Sequence, residues 1–220
     1  MTTDELKCNV ERALNNIAHA SAGNCGHVTL VAAVKTVPTD VINAAVEYGI
    51  TDIGENRVQE YLANRDGVQC SKWHFIGTLQ RNKAKYLVGN VALIQSVNSA
   101  ELAAEIDRLA RLRGVTQDVL IEVNAAGEAS KTGAPLSAVN ELIGYAQSLK
   151  NVRVRGLMSV PPIGAGTEVY ESLRRLYENH ASETFDVLSV GMSGDYEKAI
   201  AFGANMIRPG TAVFGKRIYV

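Results

Sequence analysis

The sequence predicts an α/β protein, a (β/α)8 TIM barrel in one domain over residues 1–220. Eight short apolar runs occur, helix-like segments separate most of them, and 220 residues lie at the compact end of the size range of this fold. Strands that alternate with helices form parallel βαβ units. The main alternative is an open doubly wound sheet, but no GxGxxG motif follows the first strand.

The strands are predicted from apolar runs without alternation. A parallel strand inside such a fold is buried on both faces, so its sequence is continuously apolar. In chain order the runs are Val28–Val34, Ile50–Ile53, Trp73–Ile76, Val91–Gln95, Val119–Val123, Val152–Met158, Val187–Val190 and Asn205–Ile207. Pro38 follows the first run and is expected to stop it.

Two helices are predicted from apolar residues that recur every three to four positions. One runs from Val41 to Val46 and ends at Gly49, a residue type that suits the position after a helix. The other is an extra amino-terminal helix before Gly26, which we expect to cover one end of the barrel. Its apolar positions are Leu6, Val10, Ala13, Leu14 and Ile17.

The starts of three later helices are predicted from local signals. Asn98 with Glu101 resembles a capping box, in which two side chains accept hydrogen bonds from the first turn of a helix. Pro135 suits the first turn of the helix that carries Val139, because a proline there loses no helical hydrogen bond. Thr167 opens a further amphipathic segment.

Composition excludes several classes of function. The 22 Lys and Arg residues nearly balance the 23 Asp and Glu residues, which argues against duplex DNA or an anionic membrane as the main partner. Cys8, Cys25 and Cys70 are odd in number and widely spaced, so we expect reduced thiols in a cytoplasmic protein, without metal. The charged amino terminus does not resemble a signal peptide, and no apolar stretch approaches membrane-spanning length.

Lys35 ends the first apolar run, and the carboxyl ends of barrel strands are where this fold places its chemistry. A partly desolvated lysine amine at that position would act as a nucleophile toward a carbonyl group. A surface lysine that happens to end a strand is the ordinary alternative. Lys35 alone therefore does not decide between the two.

Glycine and hydroxyl residues follow the last two predicted strands. Gly191, Ser193 and Gly194 come after the seventh strand, and Gly210 and Thr211 come after the eighth. In many barrels the loops at these places bind phosphate through exposed backbone N–H groups. One such loop could simply form a tight turn, but two adjacent loops of this kind favour phosphate binding.

Three further polar residues lie in or near the strands. Arg208 could contact the phosphate, point inward or form a salt bridge at the rim. His74 lies between core residues, with no second histidine nearby, and is expected to be a structural histidine with satisfied hydrogen bonds. Glu55 could do acid/base work, but a carboxylate at a strand end more often caps a helix or pairs with a base.

The combination of Lys35 with the two phosphate loops suits pyridoxal 5′-phosphate (PLP). Its aldehyde would form an imine with the lysine, and its phosphate would lie in the loops after strands seven and eight. A barrel that binds another phosphorylated metabolite without imine chemistry is an alternative from a different class.

Six motifs distributed over nearly the whole chain support this interpretation. They are Ala33-Val34-Lys35-Thr36, Gly54-Glu55-Asn56-Arg57-Val58-Gln59-Glu60, Trp73-His74-Phe75-Ile76-Gly77-Thr78-Leu79-Gln80-Arg81-Asn82-Lys83, Glu128-Ala129-Ser130-Lys131-Thr132-Gly133, Gly156-Leu157-Met158 and Gly191-Met192-Ser193-Gly194-Asp195. Together they resemble the pyridoxal phosphate homeostasis protein family. The resemblance implies a PLP barrel similar to the amino-terminal domain of bacterial alanine racemase. It also implies a role in PLP homeostasis and supply, without established enzymatic turnover.

The resemblance also implies the cofactor ligands. They are Lys35, Asn56, Met158, Ser193, Gly194, Arg208, Gly210 and Thr211. Lys35 would carry the imine, Arg208 would face the pyridine nitrogen, and Ser193, Gly210 and Thr211 would hold the phosphate. Val34 and Pro209 depart from the residue types usual at their positions, but neither change removes a predicted ligand.

An arginine at the pyridine nitrogen predicts weak catalysis, because arginine stays charged and leaves the ring nitrogen unprotonated. Racemases of this type take a second base from a carboxyl-terminal domain. This chain ends at Val220, directly after the eighth βα loop, so we expect no such domain. We therefore expect a monomeric PLP carrier that could serve PLP-dependent apoenzymes, with no nucleic-acid or membrane partner. A weak amino-acid racemase is the alternative.

Overall fold

The eight apolar runs form parallel strands that close into a barrel in the computed structural model, which describes residues 1–22, 26–69, 72–128 and 132–216. The strands are β1 (Thr29–Ala33), β2 (Asp52–Glu55), β3 (Lys72–Phe75), β4 (Leu93–Val97), β5 (Gln117–Asn124), β6 (Val152–Met158), β7 (Val187–Ser189) and β8 (Met206–Ile207). Each strand pairs with the next, and β8 pairs with β1, which closes the ring. The predicted (β/α)8 barrel is confirmed.

Helices cover the outside of the barrel. They are α1 (Thr3–Ser21), α2 (Thr39–Glu47), α3 (Val58–Asn64), α4 (Ala100–Arg113), α5 (Val139–Ser148), α6 (Thr167–Glu178), α7 (Tyr196–Ala201) and α8 (Thr211–Phe214), with a 3-10 helix at Arg81–Tyr86. Ile42, Ile106 and Ile143 lie between helices and strands and are fully buried. Burial of one such side chain contributes about 1.5–3 kcal/mol, so these apolar stripes hold the helices on the barrel.

The predicted capping box at Asn98 is wrong by one residue. Helix α4 begins at Ala100, and Ser99 caps it, because the Ser99 side chain accepts a hydrogen bond from the Leu102 N–H at 3.3 Å. Asn98 and Ser99 are both good capping residue types, so the sequence alone favours neither. Gly114 ends α4 in the left-handed conformation.

The predicted helical position of Pro135 is also wrong. Ala134–Pro135 pairs in parallel with the end of β5, where Pro135 lies beside Asn124. The Ala138 N–H then donates to the Pro135 carbonyl at 2.9 Å, and α5 begins one residue later at Val139. The turn places the proline before the helix, where its missing N–H costs nothing.

The predicted amino-terminal helix forms α1, but it does not cover an end of the barrel. It packs against α2, α7 and α8. Met1 lies near Gly215 after α8, and Leu14 lies near Gly49 before β2. Helix α1 therefore runs along the side of the barrel.

Some residues singled out in the sequence lie outside the described ranges. These are Cys25, Cys70 and residues 129–131, which belong to the fourth motif and include Lys131. Cys8, on α1, is an exposed free thiol. In the part of the chain that the structure describes, no helix combines the length and the apolar character needed to cross a bilayer.

The inside of the barrel is filled by side chains that alternate with those facing the helices. Val31, Leu93, Leu120, Met158 and Met206 form a separate apolar cluster there. Because successive side chains of a strand point to opposite faces, Val31, Ala33 and Lys35 follow one another along the interior face toward the carboxyl rim. The fold thus places Lys35 directly above the interior cluster.

Candidate functional site

A cavity of about 380 Å³ opens at the carboxyl ends of β1, β7 and β8. Of the predicted ligands, it is lined by Lys35, Ser193, Gly194, Arg208, Gly210 and Thr211. A loop after β6, residues 161–164, forms another part of its wall. Barrel closure therefore brings together residues that are separated by most of the chain.

Lys35 is half-buried in the cavity wall, just after β1. The next residue, Thr36, has φ 62°, a left-handed conformation that costs a non-glycine residue about 1–3 kcal/mol. Glu60 of α3 accepts a hydrogen bond from the Thr36 N–H at 3.1 Å, and the Val37 N–H donates to the Val34 carbonyl at 2.9 Å. These bonds hold the strained turn that follows the lysine.

The two glycine loops present hydrogen-bond donors to the same cavity. Among the described residues, the backbone N–H groups of Ser193, Gly194 and Thr211 have no hydrogen-bond partner. Ser193 Oγ accepts from the N–H groups of Gly210 and Ala212, each at 3.0 Å, which ties the loop after β7 to the loop after β8. The hydroxyl hydrogen of Ser193 remains available, so these donors can together bind an anion of phosphate size.

Asp195 fixes the loop after β7. Its Oδ1 accepts from the Met192 N–H at 2.7 Å, and its Oδ2 accepts from the Tyr170 hydroxyl at 2.6 Å. Burial and the hydrogen bond to Asp195 raise the pKa of Tyr170, so the tyrosine keeps the proton that it donates. Gly191 starts the loop at φ 105°, and a Cβ there would lie 2.8 Å from Tyr196 Cα. Only glycine fits this position.

Arg208 is 4 % exposed and points into the barrel. Its Nη1 donates to Ser189 Oγ at 2.6 Å, and its Nη2 donates to the Ser159 carbonyl at 2.8 Å. Burial lowers the pKa of Arg208 to about 10, although the charges of Asp195 and Glu122 oppose this shift, so the guanidinium stays charged at neutral pH. Of the three placements that the sequence allowed, the inward one is observed. The rim salt bridge is wrong, since Arg208 forms no ion pair with any described residue.

Asn56 and Met158 are not part of the cavity wall. Asn56 follows β2, and Gly77 packs so closely on its backbone that a Cβ at Gly77 would lie 2.2 Å from the Asn56 carbonyl oxygen. The side-chain Oδ1 of Asn56 is buried and has no partner among the described residues. Because an unsatisfied buried acceptor is costly, this atom can accept a hydrogen bond from a ligand. Met158 is buried in the interior cluster beside Val31.

Two buried carboxylates lie near the site. Glu55 is 0 % exposed, and burial followed by repulsion from Glu60 raises its pKa to about 7. It neither caps a helix through its side chain nor pairs with a base in the described residues, so that expectation is wrong. Burial also raises the pKa of Glu122, whose Oε1 accepts from the Thr132 hydroxyl at 2.5 Å. One oxygen of each carboxylate has no described partner.

Comparison with known proteins places this site in a family. The sequence model of the alanine racemase amino-terminal domain matches residues 4–217. A protein of Aquifex aeolicus, named pyridoxal phosphate homeostasis protein, is 42% identical over 96% of this chain and 96% of its own. The chain belongs to the pyridoxal phosphate homeostasis protein family. The resemblance drawn from the motifs is thus confirmed.

Solved structures give the same fold for the family. A protein from Bifidobacterium adolescentis, described as unknown, has a TM-score of 0.88 and 34% identity, covering 96% of this chain and 95% of its own. PipY of Synechococcus elongatus, solved with PLP bound, has a TM-score of 0.79 and 30% identity, covering 91% and 99%.

The residues that support Arg208 are not among the ligands predicted from the sequence. Ser189 and Gln95 lie inside predicted apolar runs, and Ser159 follows another. A polar side chain in a buried strand must find a hydrogen-bond partner, which is the signal that could have marked them. Asp195 ends one of the six motifs, and only the structure shows that it fixes the loop that carries Ser193.

Proposed function

We propose that the chain is a single PLP-binding domain that holds the cofactor on Lys35 and, as a monomer, supplies it to PLP-dependent apoenzymes of the cytoplasm. The observation that carries the proposal is that Lys35 and the unpartnered N–H groups of Ser193, Gly194 and Thr211 line one cavity. The name of the Aquifex relative and the PLP-bound form of PipY support it.

When bound, PLP supplies an aldehyde for the lysine and a phosphate for the loops. Lys35 would hold the aldehyde end of PLP through its side-chain amine, and the aldehyde would supply the electrophilic carbonyl for that amine. The turn at Thr36, held by Glu60, keeps the amine at the cavity wall. The loop donors at Ser193, Gly194 and Thr211 bind the phosphate.

Arg208 supports a carrier over a catalyst. We place its free N–H groups toward the pyridine nitrogen, while Nη1 and Nη2 also donate to Ser189 and Ser159. Arginine has five donors and no acceptor, so it gives the ring nitrogen a hydrogen bond and leaves it without a proton of its own. Asn56 Oδ1 offers an acceptor, and Met158 lies below the site in the interior cluster.

We expect Ser193→Ala to weaken PLP binding about tenfold, which corresponds to ~1.4 kcal/mol. The change removes a hydroxyl donor to the phosphate and also the two bonds that join the loops at Gly210 and Ala212. Thr211→Ala should cost less, because its backbone N–H remains. Equilibrium fluorescence titrations with PLP and with pyridoxal measure both effects. Equal affinity of the wild type for the two compounds would show that the loops bind no phosphate.

We expect amino acids to displace PLP from Lys35 slowly without being racemised themselves. The reason is Arg208, which leaves the ring nitrogen unprotonated and so gives little stabilisation to a carbanion. The protein is incubated with L-alanine in deuterated water, and α-proton exchange, enantiomer composition and free PLP are followed. Sustained racemisation at about 1 per second or faster would replace the carrier proposal with the racemase alternative.

A further inference from the structure

A chain of buried hydrogen bonds crosses the barrel from Arg208 to its opposite end. Arg208 Nη1 donates to Ser189 Oγ at 2.6 Å, and the Ser189 hydroxyl donates to Gln95 Oε1 at 2.7 Å. Gln95 Nε2 lies 3.1 Å from His74 Nδ1, and His74 Nε2 lies 2.9 Å from Asp52 Oδ1. All of these residues are buried. They come from β2, β3, β4 and β7 and from the end of β8.

Each hydrogen bond in this series is donated in the same direction, from Arg208 toward Asp52. A guanidinium can only donate, so Ser189 accepts from it and gives its own hydrogen to the Gln95 carbonyl. The amide NH2 of Gln95 then faces His74, whose Nδ1 must accept. The proton of His74 is left on Nε2, where it is donated to Asp52.

The series of hydrogen bonds ends at Asp52, whose carboxylate stays ionised. Burial raises the pKa of Asp52, but hydrogen bonds from His74 and Thr51 outweigh it and leave that pKa below its usual value. Hydrogen bonds in series polarise one another in a low-dielectric interior. The negative charge of Asp52 therefore acts through the chain on the buried positive charge of Arg208, which has no ion pair among the described residues.

We propose that Gln95 and His74 are positioning residues that hold Arg208 and balance its charge for the cofactor. The inference rests on the proposed function, because it concerns the arginine that faces the pyridine nitrogen. Met206 Sδ, which lies 3.2 Å from Gln95 Nε2, helps to fix the amide in this orientation. His74 was predicted to be a structural histidine, and each of its two ring nitrogens does have a hydrogen-bond partner. The proposed role adds a function to that structural one.

His74 also faces a second cavity of about 390 Å³ at the amino ends of the strands. The charged and titratable groups that line it with His74 are His27, Asp52, Lys72, Asp118, Arg155 and Asp186. Arg155 is paired with Asp118 and Asp186 at 3.0 and 2.6 Å. His74 thus connects this cavity to the buried hydrogen bonds that reach Arg208.

The test uses two changes at Gln95 with opposite expected signs. Gln95→Leu breaks the chain, so the charge of Arg208 is less balanced and the pKa of the nitrogen that joins Lys35 to PLP should fall. Gln95→Glu brings a carboxylate closer to Arg208 and should raise that pKa. The readout is the visible absorption of lysine-bound PLP as a function of pH. Ser96→Ala is the matched control, because Ser96 is the next residue on β4, is buried and has no described partner for its hydroxyl.

A second readout needs no cofactor. Nitrogen-15 NMR of the unliganded protein should find the proton of His74 on Nε2 in the wild type and on both nitrogens in Gln95→Glu. A proton on His74 Nδ1 in the wild type would contradict the proposed direction of the hydrogen bonds from Arg208 to Asp52. Absorption profiles of both Gln95 variants that match Ser96→Ala would overturn the positioning role. Failure of the proposed function would give a different result, because the wild type itself would then show no visible absorption of lysine-bound PLP.

Discussion

Lys35→Ala is expected to abolish the visible absorption of lysine-bound PLP completely while the barrel stays folded. The side chain lies at the cavity wall and is the only predicted ligand with an amine. The backbone around it does not depend on the side chain, because the Thr36 N–H bonds to Glu60 and the Val37 N–H bonds to Val34. PLP should then bind only through the phosphate loops and exchange freely.

The measurement combines absorption spectroscopy with mass spectrometry after borohydride reduction, which fixes the pyridoxyl group on the lysine that holds it. Lys83→Ala is the control, since Lys83 lies on the 3-10 helix and does not line the cavity. Thermal unfolding of Lys35→Ala without cofactor should match that of the wild type. A pyridoxyl group found solely on Lys83 or Lys131 would refute the assignment of Lys35.

The strands could be predicted from the sequence because the closed barrel buries each of them on both faces. The first run, Val28–Val34, contains β1 with one residue added at each end. The residues of the cavity could be predicted for a related reason. Lys35, Ser193 and Thr211 follow apolar runs, and parallel strands in a barrel bring all their carboxyl ends to one rim.

The buried hydrogen-bond chain could not be predicted in the same way. Ser189 and Gln95 are 94 positions apart in sequence, and only closure of the ring brings β4 and β7 to the same interior layer. A sequence shows that such a residue needs a partner but not which strand supplies it. The predicted start of α4 was wrong by one residue, because Asn98 and Ser99 are neighbouring residues with similar capping ability.

Glu55 and Glu60 are neighbouring carboxylates near the turn that follows Lys35, and we expect them to make the stability of the protein depend on pH. Glu55 faces away from the barrel interior, since its neighbour Gly54 faces inward beside Val31 and Ile76. Its Oε2 accepts from the Asn56 N–H at 3.1 Å, and the other oxygen is buried without a described partner. Burial and repulsion from Glu60 therefore favour the protonated form of Glu55.

Glu55→Gln is expected to stabilise the unliganded protein at about pH 8 and to change little at about pH 5. The pKa of Glu55 in the folded protein, about 7, lies above its ordinary value of 4.5, so the stability that Glu55 contributes is fully present below pH 4.5 and is lost as the pH rises through 7. Ionisation at high pH costs about 3 kcal/mol on this reasoning. Glutamine avoids that cost and keeps an acceptor for the Asn56 N–H.

Urea unfolding of the wild type and Glu55→Gln at several values between about pH 5 and 8 gives the difference in free energy of unfolding directly. Because both proteins share every other titrating group, the difference isolates position 55. Glu47→Gln, at an exposed site on α2, is the control and should differ little from the wild type throughout. A Glu55→Gln difference that stays constant across this range would mean that Glu55 does not titrate there. The carboxylate would then stay ionised beside Glu60 throughout this pH range.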